Sequence, residues 1–563
     1  MTLRHLVAGC ALLAALAGCG SGDVNIEPAT NVANSNNTTN NGGGNGGGTT
    51  NPCASYVNTA GQTIRGAYDG THCTYAPSFV DSGNNLTVDM TITDLPNDGA
   101  HIFQGSLFVG DDYTTNAAMA AAGITEGGDG PVLTIEAGAT LAFSSNSQFM
   151  VINRGSQLFA VGRADAPITI TSLSDVNDTV GPFDVQQWGG LVIDGFGITN
   201  KCAYSGSVAG GDLALTGECH VESEGSLGLD ENHYGGDNND DSSGRLEYVV
   251  IKHTGATVGN GDELNGITFG AVGRNTIVRN IQVYSVFDDG LEFFGGAVNV
   301  ENYVGLYIRD DSLDIDEGYS GTITNALIVQ PQTDGNSCIE ADGIADFSLL
   351  PAPQVEAIIA QGLNSRPTIN HLTCIFSANG QATATHEPGI GLRLREGLFP
   401  TINDALVIGS FSANDQTAAN DNYCLRIDDR SRQAALDGNL QLNSVIWSCA
   451  ERTRGQTFPD GTTTEENFAV AEGNVFANVA NNTALVPTAA AASGLQLLEG
   501  TPPVYSILWA SSQVNGTAPA ATTQPTTPAR AFLGALSTSE TDWTKPWAYG
   551  LDAANRAVPL WIE

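Results

Sequence analysis

The segments that decide the fold read "LNGITFG" (264–270), "DDGLEFFGG" (288–296), "DDSLDIDEG" (310–318) and "NSCIEADG" (336–343). They recur at intervals of roughly two dozen residues, the range in which solenoid proteins repeat one structural unit. Within each segment apolar and polar residues alternate, which is typical of a β-strand with one buried face. The sequence therefore predicts a mostly β chain that is coiled into a parallel β-solenoid.

The alternation divides these strands into an inward and an outward set of side chains. The inward set comprises Ile267, Phe269, Leu291, Phe293, Leu313 and Ile315. The outward set comprises Thr268, Glu292, Asp314 and Asp316. Stacked turns place outward carboxylates about 4.8 Å apart, the spacing of neighbouring strands. Because like charges at this distance repel, the pattern predicts that a cation accompanies the column.

The same alternation, with Gly and Asn at the corners, extends over much of the chain. It predicts a β-helix at 131–450 with an insertion at 196–245, after an N-terminal cap and first strands at 53–130. A C-terminal segment, 451–563, contains a Pro/Thr linker at 516–530. Its last part carries Trp543 and Trp547, and this aromatic content predicts a strip that packs back on the solenoid.

The N-terminus has the pattern of a lipoprotein signal. An apolar run ends in Leu16-Ala17-Gly18-Cys19, so residues 1–19 are predicted to be a signal peptide with a lipobox and Cys19 to carry acyl chains. Gly20 follows Cys19, which by resemblance to known lipoprotein sorting implies the outer membrane. Residues 20–52 are rich in Asn, Gly and Thr and predict a flexible tether.

The charge balance restricts the possible partners. The chain has 61 acidic and 21 basic side chains, a formal net charge of −40. Nucleic acid is therefore excluded as a natural partner, since phosphate binding requires the opposite sign. Calcium, cationic surfaces and simple solubility remain open explanations of the charge.

Eight cysteines remain after Cys10 and Cys19 are set aside, an even number that suits an exported protein with disulfides. Their spacing favours sequential pairs, one of many connectivities that eight cysteines allow. The predicted pairs are Cys53 with Cys73, Cys202 with Cys219, Cys338 with Cys374, and Cys424 with Cys449.

A resemblance rests on five strings: "VINRGSQLFAVGRADAPITITS", "WGGLVIDG", "ENHYGGDNNDDSSGRLEYVVIKHTG", "ELNGITFGAVGRNTIVRNIQVYSVFDDGLEFFGGAVNV" and "DWTKPWAYGL". They resemble a family of bacterial exported β-helix proteins, many of them lipoproteins. The resemblance implies a right-handed parallel β-helix on the cell surface, and it implies no activity. By fold alone the chain is also similar to pectate lyases, but a shared fold does not transfer function.

Three hypotheses compete for the acidic column. In the first, Ca²⁺ is bound by carboxylates from neighbouring turns, namely Asp289, Glu292, Asp311, Asp314 and Asp316. In the second, Asp289, Glu292, Asp314 and Arg393 are catalytic residues of a lyase or glycosidase. In the third, the acids form a solvated face and pair with arginines.

The loop "GLDENHYGGDNNDDSSG" offers a second group of acids, Asp237, Asp240 and Asp241. It is not an EF-hand, because Ser242 stands where that loop requires Gly and Tyr248 where it requires Glu. A looser calcium site and a solvated turn are equally compatible with the residues.

Together these patterns predict an outer-membrane lipoprotein with a calcium-stabilised β-helix that binds a glycan or a surface partner. The alternative is a polysaccharide-active enzyme that uses the acids and Arg393. A purely structural surface protein is the third possibility. The scattered histidines and the lack of G-x-S-x-G, P-loop or dinucleotide motifs give no support to other enzyme classes.

Overall fold

The computed structural model describes residues 51–80, 83–225, 232–258, 261–376, 388–409, 421–449, 451–471, 474–476, 495–497, 505–508, 532–536, 542–552, 554–556 and 558–561. Cys19, almost all of the predicted tether and the 516–530 linker lie outside these residues. Among the described residues, no helix is both long and apolar enough to cross a membrane.

Two large sheets of stacked strands form a parallel β-helix. The first, here called the acid wall, has ten parallel strands in this spatial order: Leu107–Val109, Met150–Ile152, Leu191–Asp194, Ile267–Gly270, Leu291–Phe294, Leu313–Asp316, Ser337–Asp342, Ile390–Arg395, Tyr423–Ile427 and Glu451–Thr453.

The second sheet, here called the double wall, supplies the remaining sides of each turn. Its strands are Ala67–Tyr68, Cys73–Tyr75, Met90–Ile92, Ala100–Phe103, Val132–Ile135, Thr140–Phe143, Gln157–Val161, Ile168–Ser172, Gly244–Lys252, Ile277–Val286, Asn299–Ile308, Thr322–Val329, Thr368–Ile375, Thr401–Asn403, Leu406–Ile408, Gln441–Asn443, Ile446–Ser448 and Val475–Phe476. Apart from the first pair, these strands pair in parallel.

A column of left-handed residues bends the double wall at the same place in successive turns. Asn280, Asn302 and Asn325 have φ between 54° and 62°, a region that Asn tolerates better than most residues. Asn302 Nδ2 donates to Asn280 Oδ1 at 2.9 Å, and Asn325 Nδ2 donates to Asn302 Oδ1 at 2.6 Å. The amide ladder thus keeps the corner in register while the apolar neighbours fill the core.

The predicted inward residues are buried in the core. Ile267, Phe293 and Ile315 are all inaccessible to solvent, and they belong to one apolar cluster that runs through the solenoid. Phe269 and Phe293 stack with ring centroids 5.2 Å apart. The mostly β solenoid class predicted from the alternation is therefore confirmed.

Parallel stacking begins earlier than the predicted boundary at residue 131. Cys73–Tyr75 already pairs in parallel with Ala100–Phe103, and Leu107–Val109 with Met150–Ile152. The first strands predicted within 53–130 therefore already stack in parallel. They are too short to show the alternation that marks the later turns in the sequence. The hairpin of Ser55–Val57 and Thr63–Arg65 pairs there as a separate antiparallel sheet.

Short elements decorate the solenoid. In the part of the chain that the structure describes, the helices are Asn116–Ala122, Leu173–Val176, Ala352–Gln361, Ser431–Leu436 and Glu465–Ala469, with 3₁₀ turns at Pro96–Asp98 and Phe347–Leu349. The insertion carries the hairpins Tyr204–Ser205 with Ala214–Leu215, and Val221–Glu222 with His233–Tyr234. A three-stranded antiparallel sheet joins Leu495–Leu497, Tyr505–Leu508 and Phe532–Leu533.

All four predicted disulfides are confirmed. The pairs are Cys53–Cys73, Cys202–Cys219, Cys338–Cys374 and Cys424–Cys449, with Cα–Cα distances of 5.4, 5.5, 5.9 and 5.7 Å. The first joins Cys53, which precedes the N-terminal hairpin, to the strand Cys73–Tyr75, the second closes the insertion, and the last two lie in the solenoid.

The C-terminal strip packs on the outer face of the double wall. Trp547 and Leu551 are buried against wall residues that include Leu306 and Leu327. Gln282 fixes the strip to the wall, because its Nε2 donates to the Tyr549 carbonyl at 2.7 Å and its Oε1 accepts the Tyr549 N–H at 2.6 Å. The aromatic tail thus covers an apolar surface, as its composition predicts.

Candidate metal site

The register of the acid wall places the predicted outward residues in columns. One column runs through Thr268, Glu292, Asp314, Glu340, Arg393 and Arg426, in adjacent turns. In a second column, Phe294 lies beside Asp316 of the next turn, and Asp342 lies beside Arg395. The acids and the arginines therefore share one sheet, with the acids in the earlier turns and the arginines in the later ones.

A third column lies where the chain enters the acid-wall strands. Asp289 N donates to Asn265 Oδ1 at 3.1 Å, and Asp311 N donates to Asp289 Oδ1 at 2.9 Å. Ser337 N continues the ladder to Asp311 Oδ1 at 2.6 Å. Each side chain thus binds the backbone of the next turn, which fixes Asp289 and Asp311 one above the other.

Two groups of three carboxylates meet around Asp289. Asp288, Asp289 and Asp310 form one group, and Asp289, Asp311 and Asp314 form the other. Within each group one oxygen of every carboxylate lies within 4.8 Å of the others. Neither group contains His or Cys, so the donors are the hard oxygens that Ca²⁺ prefers, drawn from adjacent turns. The residues present therefore fit a calcium ion.

These carboxylates are electrostatically unfavourable as bare anions. Burial raises the pKa of Asp289, Asp311 and Asp314 well above the usual range, and the neighbouring carboxylates raise it further. The nearest arginines have carboxylate partners of their own: Arg393 contacts Glu340 at 2.6 Å, and Arg395 contacts Asp342 at 2.5 Å. The charge of Arg395 also lowers the pKa of Asp314, but burial and the neighbouring carboxylates outweigh this effect.

The insertion covers part of the column that the sequence predicts to be solvated. Asn265 Nδ2 donates at 2.5 Å both to Glu292 Oε2 and to Oε2 of Glu224, which belongs to the insertion. Glu292 is only 8% exposed as a result. Tyr234 stacks on Phe294 at 6.0 Å, and Lys201 pairs with the buried Glu317 at 2.7 Å.

Sequence reasoning missed Glu224 because it lies far from the repeated strands. No alternation marks the string "HVESEG" that contains it, and only the fold of the insertion brings it to the column. Burial raises its pKa to about 7. Glu224 and Glu292 therefore form a second carboxyl pair beside the two groups that share Asp289.

A family model described as "Pectate-lyase like beta helix domain" matches residues 113–492, about two-thirds of the chain. The chain belongs to this family. No curated protein and no solved structure matches it. The pectate-lyase-like β-helix assignment agrees with the stacked parallel strands and leaves the activity undefined.

Arg393, the arginine of the catalytic hypothesis, is nine-tenths buried in this pectate-lyase-like β-helix. Its ion pair with Glu340 stabilises the charged guanidinium, which weakens its case as a general base. Phe294 is the aromatic residue of the second column, and Tyr234 already stacks on it. Asp289 and Asp314 do lie close enough to act as a carboxyl pair.

The predicted acids of the 237–241 loop, Asp237, Asp240 and Asp241, differ in their contacts and exposure. Asp241 is buried and its Oδ1 accepts the Gly127 N–H at 2.7 Å, whereas Asp240 forms an ion pair with Arg274 at 3.0 Å. Asp237 is exposed. Among the described residues these three carboxylates do not form a group within reach of one cation. Asp230 and Glu231 of the same loop lie outside the described residues.

Proposed function

We propose that this protein is a lipid-anchored surface protein whose β-helix binds calcium at the acid wall and serves as a binding module for a glycan or protein partner. The observation that carries the proposal is the pair of three-carboxylate groups that share Asp289. The lipid anchor rests on the lipobox at Cys19, and the binding role on the rigid, extended surface that a solenoid offers.

Electrostatics supports a divalent cation at this site. Five carboxylates converge within two overlapping groups, and burial strengthens their mutual repulsion. A Ca²⁺ ion accepts six to eight oxygen ligands in flexible geometry, so carboxylates from adjacent turns can bind it together with solvent. The bound ion would tie the turns together and stabilise the solenoid.

A polysaccharide-active enzyme is the second candidate, and the Glu224–Glu292 pair favours it. The carboxyl groups of Glu224 and Glu292 both accept a hydrogen bond from the Asn265 side-chain amide. The pKa of Glu224 is about 7, so this pair can provide a protonated acid near neutral pH. Incubation with neutral polysaccharides and polyuronates tests this candidate. The enzyme candidate is contradicted if no mixture develops new reducing ends and none develops unsaturated products.

Thermal unfolding with calcium and with chelator tests the calcium site. We expect calcium to raise the melting temperature of the wild type, since a ligand at about 100 times its Kd stabilises the folded state by about 2.7 kcal/mol. The Asp289→Asn variant should lose most of this shift, because both carboxylate groups contain Asp289. Without calcium it should melt no lower than the wild type, since it relieves repulsion and keeps an oxygen for the Asp311 N–H.

The matched control is Asp165→Asn, which removes an exposed carboxylate that pairs with Arg163 at the surface. This variant should respond to calcium as the wild type does. Identical melting temperatures of the wild type in calcium and in chelator would contradict the calcium site.

A further inference from the structure

A cavity of about 330 Å³ lies at the N-terminal end of the solenoid, away from the carboxylate groups that share Asp289. It forms where the acid-wall strands Leu107–Val109 and Met150–Ile152 end and the double wall begins. Its volume falls at the lower end of the range of small-ligand sites, which suits one sugar residue rather than a drug-sized molecule. Its lining is predominantly polar.

The hydroxyl of Ser156, one of the residues that line this cavity, is buried without a hydrogen-bond partner in the described structure. The residue is 2% exposed, and its Oγ has no hydrogen-bond partner among the described residues. Gly110 and Gly130, which also line the cavity, approach this oxygen so closely that a Cβ would lie 1.9 Å from it at Gly110 and 3.0 Å from it at Gly130. Because an unpaired buried hydroxyl is costly, a ligand hydroxyl that pairs with it gains binding free energy.

Arg154 holds the wall of the cavity in place. This residue is 3% exposed, and its guanidinium donates to the carbonyls of Tyr113, Cys219 and Gly235 at 2.8, 3.0 and 3.0 Å. It thereby connects the cavity to the insertion and fixes the backbone of Tyr113. The cavity is therefore rigid on this side, which lowers the entropic cost of ordering it around a ligand.

Tyr113 contributes an aromatic ring to the lining. The ring packs against the apolar cluster of Met119, Ile124 and Phe196, and the residue stays half-exposed. An aromatic ring supported in this way is a suitable surface for the C–H face of a sugar.

The charges of the lining select against acidic ligands. Asp89, Asp111 and Asp129 line the cavity together with Arg154, which leaves a formal excess of two negative charges. Asp89 Oδ1 accepts the Val132 N–H at 2.8 Å, and Asp129 Oδ2 accepts the Thr125 N–H at 2.8 Å, so both carboxylates are held by the backbone. Asp111 is exposed and can accept ligand hydroxyls.

We propose that this cavity binds one neutral sugar residue of a surface glycan. Asp111 and Ser156 would pair with its hydroxyl groups, and Tyr113 would contact its apolar face. The inference rests on the proposed function, because it assigns a place and a ligand class to the binding role of the module. It is independent of where calcium binds.

Titration of the full folded chain with methyl glycosides tests the proposal. The probes are the methyl glycosides of glucose, galactose, mannose and N-acetylglucosamine, with methyl glucuronide as the anionic comparison. Isothermal calorimetry should show saturable binding of at least one neutral glycoside. Asp111→Asn and Ser156→Ala should each weaken this binding about tenfold or more, because a hydrogen bond to a charged or buried group is lost.

Asp165→Asn serves again as the control and should bind the glycoside as the wild type does. The proposal is overturned if no neutral glycoside binds, if only the glucuronide binds, or if Asp111→Asn and Ser156→Ala bind unchanged. The calcium-dependent melting temperature is measured on the same samples. A calcium shift without sugar binding overturns this proposal alone, and sugar binding without a calcium shift overturns the calcium site alone.

Discussion

Asp194 is fully buried, yet its carboxylate is held by two neutral donors. Ser223 Oγ donates to Oδ1 at 2.8 Å and Asn232 Nδ2 donates to Oδ2 at 3.1 Å. Burial raises its pKa to about 6. Asp175 shows the opposite outcome, because hydrogen bonds and the charge of Lys252 lower its pKa despite the opposing effect of burial. At the residue scale, the partner of a carboxylate thus decides whether it titrates near neutrality.

Asp194 gives a prediction for the pH dependence of stability. Its folded pKa of about 6 lies above the unfolded value of about 3.9, so its contribution to stability is complete below about pH 4 and is lost as the pH rises through 6. The shift of about two pKa units corresponds to a loss of about 3 kcal/mol. We expect Asp194→Asn to lack this loss when urea unfolding is measured at pH 4 and pH 7.

Both proteins are compared in the same buffer at each pH, so that the titration of the acid-wall carboxylates contributes equally to both and cancels in the difference. Asp165→Asn should keep the pH dependence of the wild type. Equal losses of stability in the wild type and in Asp194→Asn would refute the assignment.

The C-terminal strip shows how an element far along the chain completes the fold. Several outward residues of the double wall, such as Val304 and Leu306, are apolar and would be exposed without a cover. Trp547 fills this surface and donates its Nε1–H to the Trp543 carbonyl at 2.7 Å, which satisfies the indole. The strip thus protects a face that would otherwise invite aggregation.

Trp547→Ala tests the strip. Removing a buried aromatic side chain costs about 3–5 kcal/mol, and Trp547 is 2% exposed. We expect a loss of this size in denaturant unfolding, together with faster hydrogen exchange on the double-wall strands beneath the strip.

Val558→Ala is the control, because Val558 is 37% exposed and its truncation should change stability by less than about 0.5 kcal/mol. Similar unfolding curves for Trp547→Ala and Val558→Ala would show that the strip does not support the solenoid.

The whole molecule combines a strong net charge with a predicted tether at its N-terminal end. With 61 acidic and 21 basic side chains it is repelled by anionic membrane surfaces, so charge gives it no means of staying near a bilayer. The lipobox at Cys19 supplies the predicted anchor, and several acyl chains suffice for stable attachment. The long Asn/Gly/Thr segment would then hold the solenoid away from the headgroups.

The anchor prediction is tested by expression of the full chain in a bacterial host with labelled fatty acid. The wild type should carry the label and sediment with the outer membrane, whereas Cys19→Ser should be unlabelled and lose membrane attachment. Cys10→Ser, in the signal itself, should behave as the wild type. An unlabelled wild-type protein would contradict lipidation.

Much of the fold could be predicted from the sequence because the repeats are local. Leu291, Phe293, Leu313 and Ile315 alternate with polar residues within single strands, so the side that each side chain occupies follows from strand geometry. The disulfide pairs could also be predicted, because their partners lie in adjacent turns or within one insertion. The parallel pairing of the early turns around Cys73–Tyr75 could not be predicted, since a strand of three residues is too short to show an alternation of apolar and polar residues.

The sequence by itself determined the solenoid, its inward core and the column that stacks Glu292 and Asp314, because each depends on neighbours within one or two turns. Only the tertiary structure decided which carboxylates meet. In the folded chain Asp288 and Asp310 lie beside Asp289, Glu224 of the insertion lies beside Glu292, and Arg393 forms an ion pair with Glu340. The physical reason is that side-chain reach and the path of the insertion set these distances, and no local pattern encodes either of them.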